Sequence, residues 1–110
     1  MNISSTAIES VAVVRLNGNL DTNTSPEVQE SLNKLINEGT SKVLVNFAEV
    51  DFVSSAGLRI MLATAKRLGG SGEGLRICNL NETVAEIFEI SGFSTILRIF
   101  AAEEEALHGF

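Results

Sequence analysis

The chain has 110 residues, a formal net charge of −6, 45% hydrophobic residues and 20% charged residues. This length fits one domain, and the composition is that of a globular protein rather than a disordered one. The acidic balance, with the eight lysine and arginine residues scattered singly, argues against direct binding to a nucleic-acid backbone, because such binding takes clustered positive charge.

Apolar, β-branched runs along the chain predict the strands of one sheet. Residues 11–18, VAVVRLNG, are apolar on both faces and indicate a buried strand, with residues 3–8 pairing to it as an edge hairpin. Further strands are predicted at residues 42–47, 75–80 and 95–100.

Helical spacing of apolar residues predicts two longer helices between these strands. Ser25 is a favourable N-cap and Pro26 suits the first helical position, so the first helix is predicted over residues 25–38, before Gly39. The second is predicted over residues 57–68, with an inner stripe formed by Leu58, Met61, Leu62, Ala65 and Leu68.

Two shorter helices are predicted nearer the C-terminus. Asn81 is a good N-cap for one of them, and residues 101–110 form the other. The glutamates at 103–105 are most simply a solvated helix face, with contact to a partner as the minor alternative. Residues 69–74, GGSGEG, predict a flexible loop. Because strands and helices alternate after the hairpin, we predict a single α/β domain with a mixed β-sheet and about four helices, the two longer ones on one face.

Cys78 is the only cysteine and His108 the only histidine in the sequence. A single cysteine excludes an internal disulfide and favours a reducing cytoplasm, and its place in an apolar strand indicates a core residue. One histidine argues against histidine catalysis and against a multi-histidine metal site. Residues 1–10 lack the basic start and apolar stretch of a signal peptide, and no apolar run reaches the length of a membrane span. We therefore expect a cytoplasmic protein without membrane contact, metal or cofactor.

Residues 51–60, DFVSSAGLRI, place four small residues where a strand passes into a helix. A structural interpretation makes Ser54 the helix cap and Gly57 a point of close packing. A functional interpretation adds location, because loops at the carboxyl ends of parallel strands gather at one sheet edge, where binding sites form. That edge is expected to hold Asp21, Thr22, Thr24, Ser54 and Ser55.

No histidine or lysine in this group would activate a serine nucleophile, so the sequence predicts no enzyme and no catalytic residues. Ser55 is instead predicted to be a substrate for phosphorylation. A phosphate adds about −1.5 to −2 charges at neutral pH, which a helix N-terminus tolerates but a partner docked there would not. This is the behaviour of a binding switch.

Two motifs resemble the STAS domain family, and specifically its stand-alone anti-sigma factor antagonists. One is VVRLNGNLDTNTSPEVQESL at residues 13–32, and the other is VLVNFAEVDFVSSAGLRIMLATAKR at residues 43–67. The length and element order extend the resemblance to a STAS domain over residues 1–110. It implies a protein that binds an anti-sigma factor with serine kinase activity, releases a sigma factor, and is dephosphorylated by a phosphatase of the PP2C type.

The resemblance also implies roles for individual residues. The phosphorylated serine of the family stands two residues before the motif glycine, which makes it Ser55, and Asp21 matches the acid of the first loop beside it. Ser54 stands where many members carry aspartate, so Ser54 is the alternative acceptor. The expected partner-binding residues are Asp21, Thr22, Ser54, Ser55, Gly57 and Arg59, although Arg59 is equally well explained as a surface residue.

Two other functions fit the sequence. One is a STAS subunit of a different assembly, such as a lipid transporter or a stress-sensing complex, and neighbouring genes would separate it from the first hypothesis. The other is a small nucleotide-binding or nucleotide-hydrolysing module. The absence of a phosphate-binding loop and of an activated base weighs against that third hypothesis.

Overall fold

A mixed sheet forms the centre of the fold in the computed structural model, which describes residues 1–69 and 74–110. Within these residues the sheet has five strands in the order β1-β2-β3-β4-β5. They are β1 Asn2–Ile8, β2 Val11–Asn17, β3 Val43–Glu49, β4 Leu75–Cys78 and β5 Arg98–Phe100. β1 is antiparallel to β2, and every later pair is parallel. The predicted mixed sheet is therefore confirmed, while most of the loop predicted at residues 69–74 lies outside the described residues.

The hairpin between β1 and β2 turns at Glu9 and Ser10, the two residues between the segments predicted to pair. Both residues have positive φ, 47° and 71°, and Ile8 pairs with Val11. Two successive residues in the left-handed region are typical of the type I′ turn, whose twist matches that of the strands it joins. β1 is an edge strand of the sheet and pairs only with β2 among the described strands.

Helices cover the sheet on both faces. They are α1 Ser25–Asn37, α2 Ser55–Arg67, α3 Glu82–Ile90 and the short α4 Glu103–Leu107. The first three pack on one face, in a cluster that contains Val14, Leu16, Val28, Leu32, Val45, Met61, Ile77 and Phe88. The prediction that the two longer helices share a face is confirmed. No helix among the described residues has the length and apolar character needed to cross a membrane.

The inner stripe predicted for α2 is wrong at one position. Met61 is fully buried, and Leu58 and Ala65 are buried too, whereas Leu62 is only half-buried. Helical spacing places residues 61 and 62 about 100° apart, so one of two adjacent apolar residues points away from the core at the margin of the stripe.

The second face of the sheet is covered by α4 and the residues after it. Val13, Leu44 and Cys78 alternate onto this face and pack with Ala106. Arg76, 7% exposed, donates to the carbonyl oxygens of Ala106 at 2.8 Å and His108 at 3.0 Å. Its guanidinium also lies over the rings of Phe100 and Phe110, so one buried cation holds the C-terminal segment to the sheet.

Glu103 departs from the solvated face expected at residues 103–105. Its carboxylate accepts hydrogen bonds from Arg15 Nη2 at 2.9 Å and from Asn46 Nδ2 at 3.0 Å. These bonds tie the start of α4 to β2 and β3. Glu104 and Glu105 are exposed, as expected.

Two predicted strands end differently from expectation. β4 stops at Cys78 because Asn79 takes the left-handed backbone conformation, with φ of 60°. The strand predicted at 95–100 is reduced to β5, since Phe93–Thr95 forms a turn of 3₁₀ helix.

Candidate functional site

The loops that follow β2 and β3 are joined at the carboxyl edge of the sheet. Leu20 and Val53 form an isolated parallel bridge. The Leu20 amide donates to the Phe52 carbonyl at 2.9 Å, and the Ser54 amide donates to the Leu20 carbonyl at 2.8 Å. The two segments expected to form a site are therefore adjacent and fixed to each other through their backbones.

Asp21 and Thr24 close the first loop with their side chains. Asp21 Oδ1 accepts from the amides of Asn23 at 2.9 Å and Thr24 at 3.1 Å. Thr24 Oγ1 donates to the Asn19 carbonyl at 2.7 Å and accepts from the Asp21 amide at 2.9 Å. Both side chains thus shape the loop, and Thr22 between them is exposed.

Ser25 is not the N-cap of α1, so that prediction is wrong. The N-cap is Thr24, whose side chain makes no capping bond, and Ser25 is the first helical residue. The Ser25 hydroxyl is buried and donates to the Asp21 carbonyl at 2.5 Å. The turn centred on Asp21 reverses the chain one residue earlier than the Ser-Pro pair indicates.

The structural interpretation of Ser54 and Gly57 is confirmed. Ser54 is the N-cap of α2, and its Oγ accepts a long 3.5 Å hydrogen bond from the Gly57 amide. Gly57 is buried against Leu20, and a Cβ added at Gly57 would lie 2.6 Å from Leu20 Cγ and 2.9 Å from the Leu20 carbonyl oxygen. Only glycine allows α2 to begin this close to the first loop.

Ser55 is the first residue of α2 and is exposed. Its hydroxyl makes no hydrogen bond to any residue that the structure describes. The amides of the first turn of a helix have no intrahelical acceptor, so a negative group on Ser55 would sit beside unpaired donors and the positive end of the helix. The position combines access for another protein with tolerance of added charge.

A shallow groove separates the start of α1 from the start of α2. Its volume is about 300 Å³, and Thr22, Pro26, Gln29, Ala56 and Arg59 are among its lining residues. The structure therefore places Thr22 and Arg59 on the two sides of one groove. The groove is not lined by Asp21, Ser54, Ser55 or Gly57, which form the adjoining carboxyl edge of the sheet.

Phe52 is a surface residue that the sequence analysis did not single out. It is 46% exposed and directly precedes Val53 and the two serines. The sequence shows an aromatic residue in a short connection between valines at positions 50 and 53. Both valines are buried in the structure, which leaves Phe52 on the surface. Asn81, the N-cap of α3, supports this connection by donating from Nδ2 to the Val50 carbonyl at 3.1 Å.

Chemically, the edge offers hydroxyl groups, and the part of the chain that the structure describes places no base beside them that would activate them. The Asp21 carboxylate accepts bonds from its own loop, and His108 lies on the C-terminal segment across the sheet. Among residues 1–69 and 74–110, no group of three or more His, Cys, Asp or Glu side chains is arranged to hold a metal ion. The arrangement suits Ser55 as an acceptor of a group transferred by another protein.

The sequence model of the STAS domain family matches residues 2–106. The chain belongs to the STAS domain family. Among curated relatives, the anti-sigma-B factor antagonist of Staphylococcus epidermidis is 31% identical over 99 residues, which cover 90% of this chain and 92% of that protein.

Solved STAS structures share the fold of this domain. An anti-sigma factor antagonist from Mycobacterium paratuberculosis superposes with a TM-score of 0.88 at 20% identity, covering 96% of this chain and 90% of that one. The phosphorylated form of the Bacillus cell fate determinant SpoIIAA gives a TM-score of 0.72 at 23% identity, covering 96% of each chain. At these identities the likeness shows a common STAS fold.

Proposed function

We propose that this STAS domain is an anti-sigma factor antagonist whose binding is switched by phosphorylation of Ser55. The observation that carries the proposal is the exposed hydroxyl of Ser55 at the start of α2, which makes no hydrogen bond to a described residue. The curated relative from Staphylococcus epidermidis, an anti-sigma-B factor antagonist, supports the general role. In this role the protein is a binding partner and not an enzyme.

The proposed partner is an anti-sigma factor that is also a serine kinase. With the Ser55 hydroxyl free, the domain binds this factor and so releases a sigma factor. The kinase then transfers phosphate from ATP to Ser55, and a phosphatase of the PP2C type removes it. This cycle is proposed for the cytoplasm, without membrane or direct nucleic-acid contact and without a cofactor.

The physical basis of the switch is a local change of charge. A phosphate adds about −1.5 to −2 charges and three acceptor oxygens. The helix N-terminus stabilises that charge, so the fold is retained. A partner surface complementary to a neutral hydroxyl is repelled, and a loss of about 3 kcal/mol already weakens binding more than a hundredfold.

Ser55 is favoured over Ser54 as the acceptor because their surroundings differ. Ser54 is half-buried and its Oγ caps α2, so a phosphate there would displace the capping bond. Losing an N-cap costs about 1 kcal/mol. Ser55 has no such role, and its modification leaves the cap intact.

The remaining partner-binding residues divide into two groups. Thr22 and Arg59 flank the groove and are proposed to contact the partner directly. Asp21 and Gly57 act through the backbone, since Asp21 orders its loop and Gly57 permits the close approach of α2. Substitution of either group should weaken binding, but only the second should also alter stability.

Mass spectrometry after incubation with ATP and the purified cognate kinase tests this function. We expect one phosphate, located on Ser55, that is absent from Ser55→Ala and retained by Ser54→Ala. Ser55→Ala should still bind the kinase, whereas Ser55→Asp should fold and bind poorly. Phosphate on Ser54 alone, or on neither serine, would reject the proposal.

A further inference from the structure

Phe52 exposes an aromatic ring beside the proposed phosphorylation site. All six phenylalanines of the chain lie in described residues, and Phe52 is the exposed one, with 46% of its surface accessible. The others are buried or half-buried, Phe47 and Phe88 completely. Phe52 belongs to neither apolar cluster that stabilises the fold.

The backbone at Phe52 is held by a hydrogen bond and by buried neighbours, so the side chain projects from a fixed point of the chain. The Phe52 carbonyl accepts from the Leu20 amide at 2.9 Å, and the neighbouring Val50 and Val53 are each 1% exposed. These contacts hold the connection without help from the aromatic ring. A partner that covers Phe52 therefore has to order the side chain but not the backbone, which lowers the entropic cost of binding.

Exposed charged residues of opposite sign stand on either side of Phe52 along the chain. Asp51 precedes it and is exposed, and Arg59 is exposed one turn into α2. Aromatic and arginine side chains are enriched among the few residues that dominate binding energy at protein interfaces. A surface that fits this edge needs an apolar pocket, a basic group toward Asp51 and an acidic group toward Arg59.

We infer that Phe52 is the apolar anchor by which the domain docks its kinase partner, inserting its ring into such a pocket while Ser55 meets the active site. This inference rests on the proposed function and deepens it, because it names the residue that supplies affinity separately from the residue that supplies the switch. Docking through Phe52 also explains why the charge on Ser55 acts on binding, since the two residues would share one interface.

Ile96 provides a matched control on the same molecule. It is 46% exposed, the same fraction as Phe52. It lies just before β5, at the amino ends of the parallel strands, whereas Phe52 follows β3 at their carboxyl ends. Replacing Ile96 removes a comparable exposed apolar group at the opposite edge of the sheet.

Calorimetry without nucleotide tests the anchor. The purified kinase that phosphorylates Ser55 is titrated into four proteins: the wild type, Phe52→Ser, Phe52→Leu and Ile96→Ser. We expect Phe52→Ser to weaken binding at least tenfold, which corresponds to about 1.4 kcal/mol. The affinity of Phe52→Leu should lie between those of Phe52→Ser and the wild type, and Ile96→Ser should bind like the wild type. Urea denaturation of each variant establishes that it is folded, and Phe52→Leu carries the test if Phe52→Ser is not.

The outcomes separate this inference from the proposed function. If the kinase binds the wild type and Phe52→Ser equally, the anchor is wrong and the phosphoswitch stands. If Phe52→Ser and Ile96→Ser weaken kinase binding equally, the anchor is also rejected. That result would show that any loss of exposed apolar surface lowers the affinity. If the kinase that modifies Ser55 does not bind the wild-type protein, the proposed function and the anchor fail together.

Discussion

Gly57 and Leu20 are in direct contact, and that contact determines how closely α2 approaches the first loop. A Cβ at position 57 would stand 2.6 Å from Leu20 Cγ and 2.9 Å from the Leu20 carbonyl oxygen, which is itself bonded to the Ser54 amide. Because one of these atoms is backbone, the clash cannot be relieved by a side-chain rotation. The relationship links the two loops on which the proposed switch depends.

Gly57→Ala should therefore destabilise the domain although alanine is the better helix former. Overpacking of this kind costs about 1–3 kcal/mol, which exceeds the gain of about 1 kcal/mol in helix propensity. We expect a lower urea midpoint at an unchanged slope. Ser55→Ala is the matched control, and its midpoint should stay within about 0.5 kcal/mol of the wild type. A Gly57→Ala protein as stable as the wild type would show that α2 shifts freely.

The adjacent pair Met61 and Leu62 tests which face of α2 is buried. Met61 is fully buried and Leu62 half-buried, so Met61→Ala should cost about 2–5 kcal/mol and Leu62→Ala clearly less. Chemical denaturation of the two variants gives the comparison directly. The reverse order would mean that the helix is rotated by one position about its axis.

Cys78 makes stability depend on pH in the alkaline range. Burial raises the pKa of the thiol from 9.0 to about 12, with a further increase from the charge of Glu103 and an opposing effect of Arg15. The folded state therefore keeps the proton where the unfolded chain loses it. The contribution of the protonated Cys78 thiol to the free energy of unfolding is complete below about pH 9 and is lost as the pH rises toward 12.

Cys78→Ala removes this dependence and serves as the reference. Between pH 9 and pH 10.5 the wild type should lose about 1 kcal/mol per pH unit relative to Cys78→Ala, with the slope approaching about 1.4 kcal/mol per unit at the upper end, measured by urea denaturation under reducing conditions. Parallel pH profiles of the two proteins would show that the thiol is accessible to water in the native state.

Arg59 stands four residues after Ser55 on α2, a spacing that places the two side chains on the same side of a helix. A phosphate on Ser55 should attract the Arg59 guanidinium, and this attraction favours the dianion. The second pKa of the phosphate, ordinarily about 6, should then be lower in the wild type than in Arg59→Gln. A ³¹P NMR titration of both phosphorylated proteins measures it. Identical titration curves would leave Arg59 free to contact the partner in both states.

Much of the fold could be predicted from local sequence patterns. Valine-rich runs located β2 and β3, and the Asn81 cap located α3, because in these cases propensity and burial agree. The C-terminal region was less predictable. Arg76 lies in an apolar run, but its burial depends on carbonyl groups and rings of residues 98–110, which no local pattern brings together.

The site shows the same division between local and tertiary information. The small residues at 54–57 could be interpreted from their sequence, since a cap and a close approach have recognisable residue types. The closed loop of Asp21 and Thr24 could not, because it depends on four hydrogen bonds among residues 19–24 whose geometry only the structure provides. Exposure of Phe52 likewise depends on where the buried valines on either side place the chain.

The most direct test of the central claim compares the affinity of the cognate anti-sigma kinase for the unmodified protein and for the protein phosphorylated on Ser55. Isothermal titration calorimetry on the two purified forms, in one buffer at a fixed salt concentration, provides the two dissociation constants. Phosphorylation should weaken binding at least a hundredfold, about 2.7 kcal/mol, while urea denaturation shows both forms folded. Affinities within about threefold of each other, with both forms folded, would contradict the claim.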